Sequence, residues 1–170
     1  MDTTKSDSIV RNFLHKEAIY LRKVNTFSDT LNATPEQIFP LLCPAREADW
    51  IPEWHPELIY TNSGYAEENC VFRTGKSHLL DEGIWTFTGY MPCEYIEFVK
   101  IESDIIQHCR IDLVQNSTRT TTITFKITST SLTQKGNIIL ENSKNHSDSN
   151  QLFKMMKYYL EKGKIISKLN

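Results

Sequence analysis

The sequence predicts an α+β protein in which a curved antiparallel β-sheet wraps around one long C-terminal helix. Two observations carry that expectation. Cys109, Ile111 and Leu113 alternate with His108, Arg110 and Asp112, and after a short turn Ile123, Phe125 and Ile127 alternate with Thr122, Thr124, Lys126 and Thr128. A period of two gives a sheet one dry face and one wet face, the pattern of an antiparallel sheet covered on one side only. The cover comes last. From Gln151 to Lys168, charged residues at 154, 157, 161, 164 and 168 share one side of a helix. Leu152, Met156, Tyr159, Gly163 and Ile166 hold the other, with Phe153, Met155 and Leu160 flanking.

The chain has 170 residues, 39% of them hydrophobic and 24% charged, with a net charge of -2. These values suit one globular domain, here 18–170, preceded by a tail over 1–17. They supply no field that would attract phosphate backbones, so nucleic acid is not an expected partner. No apolar run reaches the ~20 residues of a membrane span, and Met1 to Lys16 lacks the order of a signal peptide. Stable membrane insertion is therefore not expected, and the location expected is cytoplasmic, as a monomer or homodimer. Cys43, Cys70, Cys93 and Cys109 have no metal-site spacing and read as reduced thiols, with no metal or cofactor.

In chain order, Ile9, Val10, Phe13 and Leu14 suggest a short leading helix, and Ala18 to Asn32 a long first strand. Thr34-Pro35-Glu36-Gln37 starts a short helix with Ile38, Leu41 and Leu42 buried, interrupted by Pro40 and Pro44. Strands follow at Leu58–Asn62, Cys70–Thr74, Ile84–Tyr90, Tyr95–Ile101, Ile105–Val114 and Thr120–Ser129. Their short links make neighbours antiparallel. Ile138-Ile139-Leu140 should form a helical turn or two before a polar break. Ser147-Asp148-Ser149 then offers caps for the final helix, in which Gly163 would allow close approach to the sheet.

Between the first helix and the second strand, Leu41 to Tyr60 reads LLCPAREADWIPEWHPELIY, with two of the three tryptophans, three prolines and four carboxylates. It reads as a lid over the mouth of the curled sheet.

The stretches LNATPEQIFPLLCPAREADWIPEW, SGYAEENCVFRT, GIWTFTGYMPCEYIEFVKI and ITSTSLTQKGN resemble the START-like, or SRPBCC, superfamily, in particular a branch of small bacterial proteins. That superfamily includes the pollen-allergen and polyketide cyclase/dehydrase families. The resemblance covers about residues 20 to 166 and implies the helix-grip fold. It does not assign a function, because the superfamily contains carriers, hormone-binding proteins, cyclases and chaperone cofactors.

Carriage of a small hydrophobic or amphipathic molecule is the preferred expectation, in a cavity of ~300 Å³ or more. Contacts are expected from Phe72, Trp85, Phe87, Phe98, Ile111, Leu113, Ile123 and Phe125 on the sheet and from Met156, Tyr159 and Leu160 on the helix. Trp54 and Tyr60 would stand nearer the mouth. Aromatic bodies with a few polar tips are what such pockets are built from. Trp50 and Trp54 are expected mainly to pack the lid. Arg46, Glu47 and Asp49 could charge the cavity mouth, though a structural Arg–carboxylate pair is preferred. The alternatives are a cyclase- or dehydratase-like enzyme using scattered residues such as Tyr60, Arg73 and Glu97, or an interaction module with an exposed apolar patch. His55 is a candidate base on an exposed-looking loop, while His78, His108 and His146 read as solvated. No GxSxG, HExxH, GxGxxG or P-loop pattern is present.

Overall fold

The computed structural model describes residues 20–76, 82–143 and 147–166. The expected leading helix, His78, His146 and Lys168 lie outside the described residues. Seven strands form one sheet: β1 (Arg22–Leu31), β2 (Pro56–Tyr60), β3 (Val71–Thr74), β4 (Gly83–Met91), β5 (Tyr95–Ile101), β6 (Ile105–Ser117) and β7 (Thr120–Ser131). Their order is β1-β7-β6-β5-β4-β3-β2, antiparallel throughout. First and last strands are therefore neighbours, and β2 is the far edge. This is the helix-grip fold. Where the register shifts, between Leu58 and Tyr60, Phe87 and Gly89, and Gln115 and Ser117, the extra residue bends the strand that carries it.

The dry face is the expected one. Cys109, Ile111, Leu113, Ile123 and Phe125 are buried, while His108 and Lys126 are exposed. The polar face carries its own network. Arg110 reaches Glu97 at 3.1 Å and Asp112 at 2.8 Å, with its guanidinium 3.9 Å from the Tyr95 ring centroid.

Short helices α1 (Pro35–Ile38) and α2 (Pro44–Glu47) flank a 3₁₀ turn, Phe39–Leu42. The prolines explain the segmentation. Each sits in the first turn of its piece, where no N–H donor is needed, and cannot continue the piece before it. Helix α3 (Gln134–Asn142) is capped by Thr133, whose Oγ1 accepts from the Gly136 N–H at 3.0 Å. A methyl group at Gly136 would lie 2.2 Å from the Asp104 carbonyl oxygen, so only glycine lets α3 sit this close to the β5–β6 turn. Asn137 in turn accepts from the Leu21 N–H at 2.9 Å. The LTQKGN phrase is thus architecture, joining β1, β7 and the β5–β6 turn.

Helix α4 (Ser147–Lys162) lies against the dry face but differs from expectation in two ways. It ends at Lys162, four residues before Ile166, and the next residue, Gly163, closes it with a left-handed φ of +64° and an N–H that donates to the Tyr159 carbonyl at 2.7 Å. Gly163 terminates the helix rather than permitting close approach, since no atom lies within 4 Å of where its Cβ would be. The buried stripe is Phe153, Met155 and Met156, with Tyr159 and Leu160 only half-buried. The cause lies on the sheet. Phe27 and Phe125 stack with centroids 5.1 Å apart, and Phe153 meets both edge-on at 5.8 and 5.6 Å, which turns the helix toward that ring. Lys157 holds the same register through Asp29 at 2.6 Å.

Candidate functional site

The lid is fastened to itself by its own tryptophans. Trp50 Nε1 donates to the Leu41 carbonyl at 2.9 Å and Trp54 Nε1 to the Pro44 carbonyl at 2.8 Å. Both indoles therefore have their polar edge satisfied by lid backbone while their rings face inward. The chain turns between the two tryptophans at Glu53, which has φ of 58°. Arg46 and Asp49, one helical turn apart, pair at 2.6 Å on the outer side. The Arg46 pKa is raised, first by Asp49 and then by the nearby Tyr159 of α4.

Beneath the lid is a cavity of about 120 Å³. Its roof is Leu42, Pro44, Glu47, Trp50, Ile51 and Trp54. Phe72 from β3, Trp85 and Phe87 from β4 and Phe98 from β5 form one wall, and Gln107, Cys109 and Ile111 from β6 with Phe125 and Ile127 from β7 form the other. Leu152 is the contribution of α4. The rings interlock: Phe72 stacks on Trp85 at 5.5 Å, Trp54 meets Trp85 edge-on at 6.1 Å, and Phe98 lies 5.4 Å from Trp85 and 5.7 Å from Phe87.

The structure brings Trp54, Phe72, Trp85, Phe87, Phe98, Ile111 and Phe125 around this one space. It does not bring the other expected residues there. Leu113 and Ile123 are buried partners across β6 and β7, outside the lining. Met156 is packed into the core, and Tyr159 and Leu160 flank the helix without reaching the cavity. Tyr60 is exposed on the edge strand, its hydroxyl donating to Asn62 Oδ1 at 3.0 Å. Arg73 pairs with Glu57 at 3.3 Å on the surface and Glu97 belongs to the wet face, so these titratable groups do not converge. The volume also falls short of the expected ~300 Å³, because the six rings of Trp54, Phe72, Trp85, Phe87, Phe98 and Phe125 fill the space they enclose.

The residue whose role sequence reasoning underrated is Glu47. As a whole it is partly covered, but its carboxyl turns into the aromatic cavity, where burial alone raises its pKa from 4.5 to about 8. Among the described residues no hydrogen bond or ion pair engages it. Opposite, the Cys109 thiol is pushed far up, first by burial and then by the Glu47 charge. Gln107 donates through Nε2 to Ser129 Oγ at 3.1 Å. Trp85 Nε1 donates to Thr74 Oγ1 at 2.9 Å, and buried Lys100 places Nζ 5.0 Å from the Trp85 ring and 2.5 Å from Glu102. Near neutral pH the Glu47 acid is mostly protonated and can donate a proton or a hydrogen bond. Once ionised it can receive a cation.

His55 is exposed, all four cysteines are free thiols, and no group of three or more His, Cys, Asp or Glu among the described residues is arranged to hold a metal. No described helix is long and apolar enough to cross a membrane.

No protein-family model matches the sequence, and no curated protein matches it. Solved structures do. Norcoclaurine synthase from Thalictrum flavum, in truncated form, superimposes with a TM-score of 0.66 at 12% identity over 86% of this chain and 98% of its own. The same enzyme in complex with dopamine and hydroxybenzaldehyde gives 0.62 at 14% identity over 90% and 96%. The Zhui aromatase/cyclase from Streptomyces gives 0.62 at 13% identity over 86% and 100%. At these identities the likeness establishes the fold, which is the one the START-like resemblance of the sequence implies.

Proposed function

We propose that the protein binds a compact aromatic or similarly apolar small molecule between lid and sheet. The observation that carries this reading is the ring-lined cavity beneath a lid tied down by its own indoles. Its size narrows the class. An engineered apolar cavity of about 150 Å³ holds one benzene, so a space of about 120 Å³ suits a single ring and not a sterol or long acyl chain. The fold shared with a synthase solved with dopamine and hydroxybenzaldehyde supports the same scale of ligand.

A cyclase- or dehydratase-like reaction is the second reading, favoured by Glu47, an acid whose proton is retained near neutrality inside the cavity. Acid–base chemistry would want a second group of opposite role. The nearest, Cys109, holds its proton more tightly still. Binding is therefore preferred to turnover.

Toluene is the probe that tests the binding reading. Near saturation it should raise the thermal midpoint by a few degrees, following RT ln(1 + [L]/Kd), and shift NMR signals of the lid and β4. Ile127→Phe, which extends a lining side chain into the space, should remove both effects. A wild-type protein indifferent to toluene in both measurements refutes the reading.

A further inference from the structure

The ring-lined cavity has a polar pole, and its composition is one-sided. Glu47 enters from the lid, and the side chains around it supply it with no cation. Arg46, its neighbour in sequence, is turned outward onto Asp49 at 2.6 Å. Lys100 lies against Trp85 with Glu102 at 2.5 Å and is not part of the lining. From β6 come Cys109, whose thiol holds its proton, and Gln107. One N–H of the Gln107 amide is committed to Ser129 Oγ, and its carbonyl oxygen is the acceptor that this residue can offer the cavity. The polar pole thus presents two acceptor groups, the Glu47 carboxyl and the Gln107 carbonyl, set among the rings of Trp54, Trp85 and Phe98.

Resting on the binding reading above, we infer that the cavity selects an aromatic molecule bearing a basic nitrogen, with Glu47 as counter-ion and Gln107 as a second acceptor. Ring faces and a carboxylate attract the same ammonium, one through the ring quadrupole and the other by charge. A neutral carbonyl ligand could accept a hydrogen bond from protonated Glu47, but it would set its own oxygen against that of Gln107. An anionic ligand would meet both oxygens and no cation. The ammonium satisfies the pair, and ionising Glu47 to receive it expels one proton from the site.

The test compares three molecules of one ring each: benzylamine, toluene and benzoate, by calorimetry at pH 7 in two buffers of different ionisation heat. Benzylamine should bind at least about tenfold more tightly than toluene, the gain of a desolvated cation held by charge and ring faces, and benzoate should not bind. Because Glu47 is mostly protonated at this pH, benzylamine should release close to one proton and toluene none. Glu47→Gln should abolish both the preference for benzylamine over toluene and the proton release. Equal binding of toluene and benzylamine, no proton release, or an amine preference that survives Glu47→Gln overturns the inference and leaves the binding reading intact. Failure of all three molecules to bind the wild-type protein overturns both.

Discussion

Trp54 of the lid meets Trp85 of β4 edge-on, with centroids 6.1 Å apart and planes at 73°, so lid and sheet share an aromatic wall. The same Trp54 donates to the Pro44 carbonyl at 2.8 Å in a buried setting. Trp54→Phe keeps a ring in the wall but leaves that carbonyl unpartnered, which should cost ~1 to 3 kcal/mol. Trp54→Ala also empties the wall and should cost ~3 to 5 kcal/mol. Chemical denaturation midpoints of the two variants check the order. Equal losses would mean that the hydrogen bond, not the ring, sets the effect.

Glu47 makes the second prediction, on stability against pH. Its pKa is about 8 in the folded chain and 4.5 as an ordinary carboxyl, so the folded state binds the proton more tightly and low pH favours folding. Relative to Glu47→Gln, the wild type should lose about 1.4 kcal/mol per pH unit as pH rises from 4.5 toward 8, at most about 5 kcal/mol in total, and stay level above that. The variant should therefore be the more stable protein under alkaline conditions. Denaturant titrations of both chains across this range give the difference directly. A difference that does not vary with pH would place the carboxyl in water.

Glu47 also shows where the sequence was legible and where it was not. Alternation in β6 and β7 reports a dry face because a strand can hide only every second side chain, and that pattern survives any choice of tertiary partner. Position 47 followed the same logic on a helical period. Glu47, Trp50, Ile51 and Trp54 fall at i, i+3, i+4 and i+7, a carboxylate inside an apolar stripe, whereas Arg46 and Asp49 share another side and pair with each other. The charges at 46, 47 and 49 are therefore two separate features, an outward ion pair and an inward carboxyl. The rotation of α4 was less accessible, since it depends on Phe27, a residue more than a hundred positions away that opens the slot for Phe153. Gly163 could be read either as a contact point or as a helix end, and only its positive φ distinguishes them.

The nearness of Tyr159 to Arg46 leads to a prediction about motion. Arg46 is exposed and Tyr159 half-buried, so Tyr159→Phe, which removes only the hydroxyl, should change global stability by less than ~1 kcal/mol. What it should change is the attachment of the lid. Amide hydrogen exchange at Glu47, Trp50 and Ile51 should accelerate in Tyr159→Phe, while the β6 and β7 amides keep their protection. If exchange in the lid is unaltered, the indole anchors alone hold it down.

The last prediction asks which face of α4 serves the cavity. Met156 is 1% exposed and does not border the space, whereas Leu152, one turn earlier, does. A larger side chain at each position should therefore have opposite consequences. Met156→Trp has nowhere to go, and overpacking should cost ~1 to 3 kcal/mol or more while toluene still binds. Leu152→Phe extends into existing empty space. It should block toluene with little loss of stability, because the added ring fills a void rather than displacing neighbours. Thermal midpoints and toluene-induced NMR shifts measured on both variants decide the matter. Loss of binding in Met156→Trp with unimpaired stability would show that the helix presents Met156, and not Leu152, to the ligand.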